Sequence, residues 1–187
     1  DGVEVSCTGA VVTAAYDGFF YIQDSDYSCG LRVDKPDHNL QPNQTVTVLG
    51  NIGTNLDGER YIAAILAIPD GFGSVKPIAM PHRLLGGADY LEGTTLCQEG
   101  VEGGFGVNTI GLLVKVYGRV IESGTDYFIL DDGSNIGLKV LNATAVEQSY
   151  VSVVGISSCM RPAPDAKPIR ILRACSQDDV VTLQDPQ

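Results

Sequence analysis

The side chains best suited to chemistry in this sequence are five cysteines and two histidines. Their spacing points to disulfide bonds rather than to a metal site. The cysteines stand at positions 7, 29, 97, 159 and 175, and no two of them form a Cys-x-x-Cys pair. His38 and His82 are also far from a ligand-like spacing. Because zinc sites are built from closely spaced ligand pairs, we expect no metal and no cofactor.

The distribution of the cysteines predicts one disulfide in each half of the chain. Cys7 and Cys29 fall in the first half, and Cys159 and Cys175 fall in the second. Cys97 is then the odd cysteine and is available for a bond to another chain. Disulfides would place the protein in an oxidising compartment. The alternative is five reduced thiols that pack as small hydrophobic residues.

The sequence contains no recognisable catalytic constellation. Gly-x-Ser-x-Gly, His-Glu-x-x-His and phosphate-loop motifs are all absent. The acidic pairs Asp24 and Asp26, and Asp131 and Asp132, follow predicted strands, where aspartate bonds its own backbone in a turn. The alternative for these pairs is a calcium site, but a closing glutamate is missing. We therefore expect a protein that is not an enzyme.

An internal repeat organises the chain. The spacing between matching blocks shrinks from 109 to 105 residues, and it changes only between blocks, where deletions in turns would fall. The blocks recur in the same order: residues 3–11 match 112–120, 18–24 match 126–132, 30–33 match 137–140, and 46–50 match 151–155.

Each block is predicted to be a β-strand. Residues 3–13 and 112–121 alternate apolar and polar side chains, which is typical of half-buried strands. Gly9 and Gly118 interrupt these strands and indicate a bulge or a sharp bend. A fifth strand is predicted in each half, at residues 60–68 and 169–174. Short helical turns are predicted at residues 80–85 and 142–148.

The second copy of the repeat resembles bacterial OB-like domains. The residues that carry the resemblance are Gly118-Arg119-Val120, Tyr127 to Gly133, Gly137 to Val140, and Val151 to Gly155. It implies an all-β chain of two tandem five-stranded Greek-key barrels of the OB type. The predicted units are a first barrel at 1–69, a long glycine-rich linker at 70–109, and a second barrel at 110–187 with an extra C-terminal strand. Family membership implies binding of oligonucleotides, oligosaccharides or proteins across strands two and three, without deciding among them.

Strand alternation predicts which side chains form that binding face. If Phe20 and its alternate neighbours point inward, then Phe19, Tyr21 and Arg32 point outward. The matching outward residues of the second half are Tyr127, Ile129 and Lys139. Aromatic rings beside a cation suit nucleic-acid bases, sugar rings or a protein partner. The alternative is ordinary cross-strand packing on a half-exposed sheet.

The charge balance bears on the choice of partner. Twelve Lys and Arg residues against 23 Asp and Glu residues give a net charge of −11. Such a surface repels phosphate backbones and anionic membranes. No apolar run approaches the length that spans a bilayer. Nucleic acid is therefore disfavoured, and carbohydrate is the preferred small ligand.

Two functions fit the sequence, and the first is preferred over the second. The first is a secreted structural protein that assembles with itself or with other extracellular proteins into a filament, a surface layer or a larger complex. It would join its neighbours through Cys97 or by adding the strand-like segment Val180, Val181, Thr182 and Leu183 to a sheet edge. The start at Asp1 is interpreted as a mature end left by signal-peptide removal, or as an arbitrary boundary. The second is a ligand-binding module that uses the face of strands two and three.

Overall fold

The computed structural model describes residues 1–186, which form an all-β fold with 53% of the residues in strands and 3% in helices. The predicted all-β class is confirmed. The helices are two 3₁₀ turns, His82–Leu84 and Gln177–Asp179. Among the residues described, no helix has the length and apolar character needed to cross a membrane.

The first half, residues 1–72, is a closed five-stranded barrel, as predicted. The order around the barrel is β1-β2-β3-β5-β4, with β3 and β5 parallel and the other pairs antiparallel. Phe20, Ile22 and Val33 point into the barrel core, as strand alternation predicts. The strands are β1 (Glu4–Tyr16), β2 (Phe19–Gln23), β3 (Gly30–Asp34), β4 (Gln44–Thr54) and β5 (Arg60–Phe72).

A bend in β1 allows one strand to serve two neighbours. The first part of β1 pairs with β4, its second part pairs with β2, and the β4 register shifts between Cys7 and Ala10. Gly9 lies in this shift with a φ of 69°, which glycine adopts without steric cost. The predicted irregularity at Gly9 is confirmed. No bulge lies at Gly118, because the register between β9 (Leu113–Ser123) and β12 (Tyr150–Met160) runs through Gly118 without a shift, and a sharp bend there stays a prediction. Gly118 instead leaves room for the Asp131 carbonyl oxygen, which would lie 2.8 Å from an added Cβ.

The second half, residues 113–186, forms one sheet together with β6 (Ile78–Ala79) of the connection, in the order β14-β12-β13-β11-β10-β9-β6, with β12 also paired to β9. Its core contains Val116, Phe128, Leu130 and Val140, which alternate along their strands. Residues 142–148, predicted as a helical turn, contain no helix. The strands of this half are β9 (Leu113–Ser123), β10 (Tyr127–Asp131), β11 (Leu138–Leu141), β12 (Tyr150–Met160), β13 (Ile169–Ala174) and β14 (Val180–Gln184).

The connection between the halves, residues 73–112, packs on both of them. Its first strand, β6 (Ile78–Ala79), pairs with β9. Its two other strands, β7 (Tyr90–Glu92) and β8 (Thr95–Gln98), form a separate hairpin. Leu85 is fully buried in the core of the second half, next to the 3₁₀ turn that realises the predicted helix at 80–85. β5 continues to Phe72, past the predicted end of the first barrel.

Candidate functional site

The outer face of β2 in the first half is buried against the second half. Tyr21 is 0% exposed and clusters with Ala14, Leu113 and Ile156. Leu113 begins β9 and Ile156 lies on β12, so this cluster joins the two halves. The expectation that Tyr21 points into solvent is therefore wrong. Alternation predicted correctly that Tyr21 leaves its own barrel core, but it could not show that another half covers it.

A buried carboxylate lies at the centre of this joint. Glu59 is 1% exposed, and its carboxylate accepts hydrogen bonds from the Tyr21 hydroxyl at 2.9 and 3.0 Å. The Ser158 hydroxyl, on β12, donates to the same carboxylate at 3.1 Å. Burial raises the pKa of Glu59, and this effect outweighs the opposing effects of nearby arginines and hydrogen bonds. One acidic side chain thus connects β2, the β4–β5 loop and the second half.

Arg32, the predicted cation of the binding face, contacts side chains of its own chain. Its guanidinium carbon lies 3.8 Å from the centre of the Phe19 ring. Its Nε lies 2.6 Å from an Asp34 oxygen, and its Nη1 lies 3.9 Å from Glu59. The structure brings Phe19, Tyr21 and Arg32 together, as the sequence predicted. It places them at the edge of the joint rather than on an open face.

Beside the joint lies a cleft of about 570 Å³. One wall is formed by residues 27–32, which include the start of β3, and by Glu59 and Arg60 of the β4–β5 loop. The other wall belongs to the connection, with Tyr90, Cys97 and residues 106–112. Ligand pockets in proteins typically measure about 300–1,000 Å³, so the cleft has room for a small ligand.

Two glycines make the floor of the cleft possible. Gly30, the first residue of β3, lies against Gly111 of the connection. A Cβ added to Gly30 would come within 2.4 Å of the Gly111 backbone, and one added to Gly111 within 2.3 Å of the Gly30 oxygen. The connection can therefore cross β3 only because neither residue carries a side chain.

The rim and the walls of the cleft carry tyrosines and amides. Tyr27 has a φ of 65°, which is rare for a bulky residue, and Tyr90 is 56% exposed. Gln98 donates to the Gly58 carbonyl at 2.9 Å and accepts from the Arg60 backbone N–H at 2.8 Å. These two hydrogen bonds fasten the β7–β8 hairpin to the β4–β5 loop.

The charged side chains of the cleft are all paired within the chain. Arg60 Nη1 lies 2.6 Å from an Asp1 oxygen. Asp89 accepts from the Gly100 backbone N–H at 2.8 Å and lies 3.5 Å from Lys167 Nζ. Together with Arg32 and Glu59, two cations and two anions line the cleft. The local charge is therefore balanced, in contrast to the acidic chain as a whole.

All five cysteines are free thiols, and the predicted bridge in the second half is wrong. Cys159 pairs with Arg170 across β12 and β13, and Cys175 lies five residues beyond Arg170. At about 3.3 Å per residue the two cysteines are roughly 16 Å apart, whereas a disulfide requires Cα atoms within about 7 Å. Burial raises the pKa of Cys175 to about 12.

The remaining cysteines lie near the cleft. Cys29 and Cys97 line its two walls. Partial burial raises the pKa of Cys29, and the nearby Asp24 and Cys7 raise it further. Cys7 and Cys29 are thus close enough to interact, but both are free thiols in this structure, and a bridge between them stays a prediction. An inter-chain bond through Cys97 also stays a prediction.

The predicted binding face of the second half is a small aromatic and cationic platform. Lys139 Nζ lies 4.2 Å from the centre of the Tyr127 ring. Ile129 is half-buried between them, at the register position opposite Lys139. The Phe19–Arg32 contact of the first half thus recurs at the matching positions of the repeat.

The segment 180–183, predicted to add to a sheet edge, pairs with β12 of its own chain as part of β14. Val151 faces Thr182, and Ser152 faces Val181. The alternative in which this segment leaves to pair with a neighbouring chain is not adopted in this structure. β14 is an edge strand, so its backbone groups on the side away from β12 are unpaired within residues 1–186.

The aspartates after β2 and β10 cap turns, as their position in the sequence predicts. Asp26 accepts from the Ser28 backbone N–H, and Asp131 accepts from that of Gly133. Asp132 also accepts from the His82 backbone N–H at 2.9 Å, which fastens the connection to the second half. No local sequence pattern indicates that contact or singles out Glu59, because both depend on long-range packing.

Comparison with known proteins gives no family for this chain. The sequence matches no protein-family model, and no curated protein is similar enough to count as a relative. The function of the chain is therefore inferred from the geometry of the cleft and its surroundings.

Proposed function

We propose that this chain is a non-catalytic binding module built from two OB-type barrels, with a neutral carbohydrate as the ligand of the cleft. The observation that carries the proposal is the position of the cleft on β3 and the β4–β5 loop. OB domains bind their ligands on strands two and three and on the loops beside them. The second half of the chain covers the part of that face around Tyr21, and the cleft lies on the part that remains open.

The matching strand registers of the two halves support the tandem arrangement. β1 pairs Glu4 with Asn51 and Val5 with Gly50, and β9 pairs Leu113 with Ile156 and Val114 with Gly155. The pairs obey the same repeat spacing as the sequence blocks. β11 and β13 are parallel, like β3 and β5. β9 also pairs with β12, so the successive pairings of β9 with β10, β11, β13 and β12 lead back to β9.

The chemistry of the cleft favours a neutral ligand with apolar faces. Tyr27 and Tyr90 offer rings on which the C–H face of a sugar can lie, and neighbouring amides and backbone groups can bond its hydroxyls. Each charged side chain already has a partner, so none is left to bind a phosphate. The net charge of −11 adds a general repulsion of nucleic acid.

Catalysis in the cleft is disfavoured by the state of its reactive groups. The Glu59 carboxylate is buried and fully hydrogen-bonded. The pKa of Cys29 is raised, and a thiol that stays protonated is a poor nucleophile. The cleft therefore has residues to hold a ligand, and neither Glu59 nor Cys29 is set up as a nucleophile to attack it.

The proposal is tested with two matched tyrosine variants. Tyr90 borders the cleft and is 56% exposed, whereas Tyr117 is 46% exposed and lies on the outer side of β9. The wild-type chain is screened on a glycan array, and hits are titrated by calorimetry. We expect Tyr90→Ala to weaken binding about tenfold, as loss of one stacking ring would, and Tyr117→Ala to leave it unchanged. Equal effects of both variants, or binding of oligonucleotides alone, would contradict the proposal.

A second candidate function, assembly of the chain with itself or with other extracellular proteins, is favoured by an exposed apolar stretch on β5. From Ala64 onward β5 pairs only with β4 within residues 1–186. Ile65, Leu66 and Ile68 in this stretch are 62%, 43% and 48% exposed. A secreted location remains a prediction. Its support from disulfide bonds now depends on a bridge between Cys7 and Cys29, which also remains a prediction.

Light scattering before and after reductant tests this second candidate. Assembly predicts a mass well above 19.8 kDa that falls when Ile65 and Ile68 are replaced by lysine. A loss of mass on reduction would instead implicate Cys97. A monomer under both conditions would exclude self-assembly of the chain alone.

A further inference from the structure

β14 offers an edge to which another strand can be added. Within residues 1–186 it pairs with β12 on one side only and ends the seven-stranded sheet. Its five residues carry no charge, and Val181 and Leu183 are 51% and 58% exposed. An uncharged apolar edge with unpaired backbone groups is a template for strand addition.

The edge of β14 is more regular than the free part of β5. The β4–β5 register shifts twice, once beside Leu49 and once beside Val46, and Pro69 interrupts β5. Bulges and prolines are features that protect an edge against pairing. The register of β14 with β12 shifts only once, at Leu183 between Thr182 and Gln184, and β14 contains no proline. The β14 edge is therefore the better acceptor of the two.

Carboxylates stand at both ends of this edge. Asp178 and Asp179 directly precede β14, and Asp185 directly follows it. Ser176 Oγ lies 2.9 Å from Asp179 Oδ2, which helps to fix this side chain beside the strand. The edge thus combines an apolar centre with negative charge at each end.

These aspartates argue against a second copy of the chain as the partner. In an antiparallel pair of β14 strands centred on Thr182, Asp179 of each copy would face Asp185 of the other. Like charges in directly opposed positions destabilise a strand pair. The net charge of −11 on each copy adds to the repulsion.

We propose that the β14 edge receives an extended segment of another protein, with alternating β-branched residues at its centre and lysine or arginine at both ends. Backbone hydrogen bonds to β14 supply affinity, and the basic ends face Asp178, Asp179 and Asp185 and supply selectivity. This interaction lies on a different surface from the cleft and does not depend on a ligand there.

The probe for this proposal is a nine-residue peptide with a Val-Thr-Val-Thr-Val centre and two lysines at each end. Its titration into ¹⁵N-labelled protein is followed through the backbone amides of residues 178–185. Matched peptides carry glutamates at the ends, or lysine ends with a proline at the central position. We expect the lysine peptide to shift these amides, with at least about tenfold weaker binding for the glutamate peptide and none for the proline peptide.

A charge-reversed variant completes the test. Asp179→Lys combined with Asp185→Lys is expected to reverse the preference from the lysine to the glutamate peptide, while circular dichroism shows an unchanged fold. Equal binding of the lysine and glutamate peptides, or shifts confined to residues outside β14, would overturn the proposal. So would a wild-type dimer whose interface maps to β14, because the partner would then be a second copy.

Discussion

At the scale of single residues, Glu59 is the side chain on which the joint depends. It is presented by a tight loop in which Asn55 Oδ1 accepts hydrogen bonds from the backbone N–H groups of Asp57 and Glu59, at 2.9 and 3.0 Å. The carboxylate then accepts from Tyr21 and from Ser158, which lie on different halves. A buried charge of this kind stabilises a structure only while its partners remain in place.

Removal of either partner of this hydrogen bond is expected to destabilise the chain. Tyr21→Phe leaves the carboxylate without one donor and should lower the free energy of unfolding by about 1–3 kcal/mol. Glu59→Gln turns an N–H group toward two hydroxyl donors and should cost at least as much. Urea denaturation of both single variants and the double variant should show a smaller loss for the double than the sum.

The control for this cycle is Tyr127→Phe, which removes a hydroxyl that donates to Glu122 on the protein surface. We expect its urea midpoint to equal that of the wild type. If Tyr21→Phe were as neutral as Tyr127→Phe, the Glu59 carboxylate would not be a structural centre of the joint.

The buried side chain of His82 is expected to make the stability of the folded chain depend on pH. The side chain is 0% exposed, and burial lowers its pKa although Asp132 and Asp131 act in the opposite direction. The folded chain therefore prefers the neutral ring, while the unfolded chain takes up a proton near pH 6.5. Stability from this source is present above about pH 6.5 and is lost as the pH falls below it.

Comparison with His82→Gln isolates this effect from other titrating groups. The stability advantage of the wild type over the variant should shrink from pH 7.5 to pH 5, by at most about 1.4 kcal/mol per pH unit. Denaturant unfolding at several pH values measures it. An advantage that stays constant over this range would mean that His82 does not titrate as its burial requires.

At the scale of elements, the crossing of β3 by the connection shapes the cleft. Gly30 and Gly137 are matching positions of the repeat, yet their surroundings differ. An added Cβ meets the Gly111 backbone at 2.4 Å in the first case, and only the end of the Ile129 side chain at 3.2 Å in the second. Backbone cannot move aside as a side chain can, so the two glycines should tolerate alanine unequally.

This difference supplies a matched pair of variants. Gly30→Ala should push the connection away from β3, lower the stability by about 1–3 kcal/mol and weaken ligand binding in the cleft. Gly137→Ala should cost less and leave binding unchanged. Thermal unfolding and ligand titration of both variants check this. Equal behaviour of the two would show that the contact between Gly30 and Gly111 does not form the cleft floor.

Most of the strands could be predicted from local patterns, because alternation and turn residues act over a few positions. The barrel core at Phe20 and Val33 and the irregularity at Gly9 follow from such patterns. The burial of Tyr21 and the packing of the connection could not be predicted, because both depend on contacts between residues far apart in the sequence. The Cys159–Cys175 bridge failed for a related reason, since spacing in the sequence does not give the register of a hairpin.

At the scale of the whole molecule, the joint between the halves is not repeated. Its apolar residues Leu113 and Ile156 face each other across β9 and β12. The matching register pair of the first half is Glu4 and Asn51, which offers a charge and an amide instead. A further module could not dock there as the first half docks on the second. We therefore expect any larger assembly to form through other surfaces than the one that matches this joint.

The most direct test of the proposed binding function is a chemical-shift map of the ¹⁵N-labelled chain titrated with neutral oligosaccharides and, separately, with a single-stranded oligonucleotide. We expect a saccharide to shift the amide resonances of the residues that surround the cleft, which are 27–32, 58–60, 97–98 and 106–112. The oligonucleotide should leave these resonances unchanged. Shifts produced by the oligonucleotide alone, or saccharide shifts confined to the platform of Tyr127 and Lys139, would contradict it.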